Sequence, residues 1–119
     1  MAFTDKNDKV SLVGRLIYQG EDIMNNSKAA CQWYERDLSV MIGSEGYSKS
    51  AGVGWRVLAD ETEDTLSLVS TDVAHEQRYK LVVVYNEDIV LTAEAEVKNL
   101  HSEYDYYIEQ VTEGADIKL

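Results

Sequence analysis

Leu91-Thr92-Ala93-Glu94-Ala95-Glu96-Val97-Lys98 alternates apolar and polar residues without a break. Leu91, Ala93, Ala95 and Val97 fall on one face of an extended chain, and Thr92, Glu94, Glu96 and Lys98 on the other, the period-2 signature of a half-buried strand. Just upstream, Leu81-Val82-Val83-Val84-Tyr85 is a β-branched run, and Asn86-Glu87-Asp88 between the two is turn chemistry. Residues 78–98 therefore predict a β-hairpin with a three-residue loop.

The same reading applied from the N-terminus predicts a loose polar tail over 1–8, with Phe3 its one large apolar residue. Val10–Tyr18 reads as a strand with Val10, Leu12, Leu16 and Tyr18 on one face. Gly14 marks a bulge or a point of close approach within it. Over Glu21–Ile42, Ile23, Ser27, Ala30, Tyr34, Leu38 and Met41 recur at three- and four-residue steps, and Cys31 and Ile42 widen the stripe. That spacing predicts a helix beginning as late as Ser27 and stopping at Gly43, or a shorter helix followed by a strand through 38–42. Gly43–Gly54, rich in glycine and serine, predicts a mobile loop. Trp55–Ala59 and Thr65–Ser70 are short strand-like runs joined by the acidic bend Asp60-Glu61-Thr62-Glu63-Asp64. In the last segment Tyr104, Tyr107, Ile108 and Val111 favour a helix capped at Ser102 and stopped at Gly114. Tyr104, Tyr106 and Ile108 would instead align in a strand.

Together these elements predict a single α+β domain over 9–119: an antiparallel sheet of about four or five strands with one or two helices on one face. The 119-residue length suits one domain. The single cysteine forbids an internal disulfide, and no apolar run reaches the ~20 residues of a membrane span. The expected location is the cytoplasm.

Charge changes the picture more than composition does. The net charge is −11, and residues 1–59 are neutral, with seven acids and seven bases. Residues 60–119 hold fifteen acids against Arg78, Lys80, Lys98 and Lys118, and so carry the whole imbalance. Such a field repels nucleic acid and anionic membrane and draws basic surfaces; it also serves plain solubility.

Candidate chemistry is sparse. Cys31 lies on the apolar stripe, where a thiol acts as a small hydrophobe, and His75 and His101 sit in polar connectors. The acids of 60–64 offer hard oxygen ligands, but the calcium-loop pattern, zinc spacings, phosphate-binding loops and the nucleophile motif G-x-S-x-G are all missing. No cofactor, metal or catalytic residue is expected. Tyr106 stands among Glu103, Asp105 and Glu109, and tyrosines flanked by acids suit a protein interface.

The sequence thus predicts a non-enzymatic acidic inhibitor that covers a basic, nucleic-acid-binding surface of a partner protein, as nucleic-acid mimics, anti-defence proteins and immunity proteins do. The expected contact residues are Asp60, Glu61, Glu63, Asp64, Glu87, Asp88, Glu94, Glu96, Glu103, Asp105, Tyr106 and Glu109. Glu94 and Glu96, two apart on a strand, stand roughly 6.5–7 Å apart, a spacing that permits phosphate mimicry. The alternatives are a small structural or assembly protein that pairs through its hairpin edge, and a ligand-binding or enzymatic domain with a sheet pocket. Homo-oligomerisation stays open; direct binding of nucleic acid or membrane is not expected.

Overall fold

The computed structural model describes residues 2–5 and 8–100. Its strands are β1 (Ala2–Phe3), β2 (Lys9–Val13), β3 (Ile17–Tyr18), β4 (Glu21–Asp22), β5 (Ala29–Arg36), β6 (Trp55–Val57), β7 (Thr65–Val69), β8 (Glu76–Tyr85) and β9 (Ile89–Asn99), with a 3-10 turn at Ser70–Asp72. Among the described residues from Ala2 to Asn99 there is no α-helix, so the expected α+β arrangement is overturned and the fold is mostly β. The helix expected over 102–114 lies outside the described residues. Among the described residues no helix is long and apolar enough to cross a membrane.

The principal sheet has five strands in the order β1-β9-β8-β5-β6. It is mixed rather than antiparallel, because β1 runs parallel to the end of β9, with Ala2 opposite Lys98 and Phe3 opposite Asn99. Phe3 is fully buried. The segment expected to be a loose tail therefore contributes a core residue, since one aromatic ring is enough to anchor a short strand.

The β8–β9 hairpin forms as the alternation predicts. Tyr85 stands opposite Ile89, and Asn86, Glu87 and Asp88 make the loop. Asn86 (φ 54°) and Glu87 (φ 71°) take the left-handed conformations that glycine usually supplies in such a turn.

The segment expected to be helical instead yields an interior strand, β5, which pairs with β8 along Ala29–Glu35 and with β6 along Tyr34–Arg36. Trp33 and Tyr34 are adjacent, point to opposite faces, and are each only 4% exposed. A strand covered on both faces loses its period-2 signal, and what remains is easily read at helical spacing. The residues on either side are turns. Lys28 N–H donates to Asn26 Oδ1 (2.9 Å) and Asn26 N–H to the Ile23 carbonyl (3.0 Å), while beyond β5 Ser39 N–H donates to Asp37 Oδ1 (3.0 Å). Leu38, Met41 and Ile42, three members of the expected apolar stripe, are consequently exposed.

The inner face of the sheet carries the larger core. Cys31 and Trp33 of β5, Tyr79, Leu81 and Val83 of β8, and Val97 of β9 pack against a second layer made by the antiparallel β2–β7 ribbon. That ribbon supplies Val10, Leu12, Leu66 and Leu68. On the outer face, Tyr34, Trp55 and Val82 are covered by Ala51 of the 37–54 connection. The connection, expected to be mobile, is a chain of hydrogen-bonded turns: Ser44 N–H to the Met41 carbonyl (2.8 Å), Gly52 N–H to Ser48 (2.8 Å), and Gly54 N–H to Val40 (2.8 Å).

Candidate acidic interface

The acidic bend at 60–64 is held by its main chain. Trp33 N–H donates to the Glu61 carbonyl (3.0 Å), Trp33 Nε1 to the Glu63 carbonyl (2.8 Å), and Gly14 N–H to the Asp64 carbonyl (2.7 Å). The Gln32 side-chain amide donates to the Leu58 carbonyl (2.7 Å) from the same side. The bend is thus fixed to β5 and to the second layer. Its side chains are treated differently: Asp60 and Glu63 are exposed, Glu61 and Asp64 half-buried. No salt bridge among the described residues involves any of the four. Four carboxylates within five residues concentrate negative potential at this bend.

The outer face of the hairpin does not present bare carboxylates. Register places Arg78 opposite Glu96 and Lys80 opposite Glu94. The Arg78 guanidinium stands 3.6 Å from Glu94 and 3.2 Å from Glu96, and Lys98 lies 3.7 Å from Glu96. These pairs are partly exposed, so each contributes little stability, but together they cancel most of the local negative potential. The signal for this was present in the sequence. Once a three-residue loop sets the register, Arg78 and Lys80 must share a face with Glu94 and Glu96.

The predicted contact residues fall in separate places. The bend meets β5 at residues 32–33, on the edge of that strand facing away from β8, whereas Glu94 and Glu96 lie on β9; β8 and β5 stand between. Glu87 and Asp88 are exposed at the hairpin tip, beside the Lys28 carbonyl that accepts Asn86 N–H (2.9 Å). Glu103, Asp105, Tyr106 and Glu109 lie outside the described residues.

The sequence reading missed a cationic cluster on the outer face. Trp55 sits between Arg36, 5.2 Å from its ring centre, and Lys80, 4.6 Å away, while Lys80 Nζ also donates to the Ala51 carbonyl (3.0 Å). Cation–aromatic contacts of this kind stabilise charges that are losing water. Opposite Glu35, on the other face, Arg56 holds Asp37 through Nε (2.9 Å) and Nη2 (2.6 Å) on one carboxylate oxygen. The Ser39 hydroxyl and Arg56 together bring the Asp37 carboxyl down to about 2. Arg36 and Lys80 are far apart in sequence, and only the β5–β6 and β5–β8 pairings bring them to Trp55, whereas Arg56, opposite Glu35, lies on the other face of the sheet.

The remaining titratable groups are tuned by burial. Glu35 is raised chiefly by desolvation, and Tyr79 is pushed up to about 12 by its burial, with Glu35 and Asp72 adding to it. Burial also raises the Cys31 thiol, and Asp64 and Glu63 raise it further. Its S–H donates to the Met24 sulfur at 3.5 Å. A raised, half-buried thiol beside carboxylates is the opposite of an activated nucleophile. Among the described residues no group of three or more His, Cys, Asp or Glu side chains could hold a metal ion.

No protein-family model, curated protein or solved structure matches this chain.

Proposed function

We propose that this protein is a non-enzymatic, cytoplasmic inhibitor that acts by covering a basic surface of another protein. One observation carries the reading: the four carboxylates of Asp60, Glu61, Glu63 and Asp64 ride on a main chain pinned to the interior strand β5 and have no salt-bridge partner among the described residues. A bend that concentrates unpaired negative charge on a fixed main chain offers a basic partner complementary potential on binding. The overall charge of −11 would speed the encounter and keep the protein off nucleic acid. A nucleic-acid-binding protein is the partner class with the most suitable surface. The hairpin face contributes less than the sequence suggests, because Arg78 lies between Glu94 and Glu96.

Capture of partners from a lysate of the source organism, at low and at high salt, tests the reading. The captured protein is expected to be basic, to be released steeply by salt, and to be lost by Asp60→Asn/Glu61→Gln/Glu63→Gln/Asp64→Asn. Capture indifferent to both changes overturns it.

A further inference from the structure

We draw no further inference here: the strongest candidate, the apolar groove along the inner face of β9 from Ala95 to Ile89, lined also by Gly14, Leu81 and Leu91, is an unpartnered face, and nothing in the structure shows what covers it.

Discussion

Gly14 lies directly over Leu81, and a Cβ built on Gly14 would overlap the Leu81 Cδ2 methyl. Leu81 is itself buried between β5 and β9, and its methyl can turn aside only into the hollows of about 290 and 200 Å³ that it and Gly14 line. The glycine is needed here for space and not for a left-handed backbone. Gly14→Ala is expected to destabilise the fold by about 1 kcal/mol, the low end for overfilling a packed core, because the Leu81 methyl has a hollow to turn into. Leu81→Val in the same chain should recover part of that loss, and a double-mutant cycle in urea should show the coupling. An alanine variant within about 0.5 kcal/mol of wild type would refute the contact.

Asn99 is buried at the end of β9, and its side-chain amide donates to the Ser70 carbonyl (3.0 Å) and the Val73 carbonyl (2.8 Å). It joins the 3-10 turn after β7 to the hairpin. Asn99→Ala leaves both carbonyls without that donor, and a loss of about 1–3 kcal/mol is expected in denaturant unfolding. Asn99→Asp should cost more, because it sets a carboxylate against two carbonyl oxygens. Equal stability of the aspartate variant and wild type at neutral pH would argue against this arrangement.

Asp37 gives a pH signature. Its folded carboxyl lies at about 2 against an ordinary 3.8, held down by the Ser39 hydroxyl, then by Arg56 and by the Ser39 backbone N–H. A depressed acid stabilises the fold above its unfolded value and loses that contribution as pH falls through its folded value. The gap in urea midpoint between wild type and Asp37→Asn should therefore be constant above the ordinary value and close between 3.8 and about 2. A gap that stays level across that window would refute the assignment.

The Cys31 thiol, raised by burial and by Asp64 and Glu63, is expected to react more slowly with iodoacetamide in the folded protein than in the urea-unfolded chain at the same pH. Glu63→Gln/Asp64→Asn should speed the folded reaction without changing the unfolded one. If the double variant leaves the folded rate unaltered, the carboxylates of the bend do not reach the thiol.

The elements read most directly from sequence are those whose two faces have different fates. β9 alternates because its outer face is wet, and Thr65–Val69 alternates because it lies on the second layer with one side inward. β5 was illegible for the converse reason. Trp33 points into the main core and Tyr34 into the outer one, so neither period survives in Ala29–Arg36, and chance three- and four-residue spacings with Ile23, Leu38 and Met41 took its place. Phe3 was passed over because a two-residue strand has no periodicity at all.

The acidic site divides in the same way. The bend at 60–64 is a local feature, and its composition alone marked it. The neutralisation of Glu94 and Glu96 by Arg78 depends on hairpin register, which the three-residue loop made calculable. The grouping of Arg36 and Lys80 about Trp55 depends on pairings between strands distant in sequence, and no local pattern carries it.

By itself, then, the sequence determined the hairpin, its register, the short strands with one wet face and the acidic half of the chain, because alternation, turn chemistry and charge are local properties. Only the tertiary structure decided that Ala29–Arg36 is an interior strand, that the bend stands apart from Glu94 and Glu96, and that Arg36 and Lys80 meet at Trp55. Those outcomes are set by which strands neighbour one another, and that is chosen by burial summed over the whole chain and not by any one stretch of it.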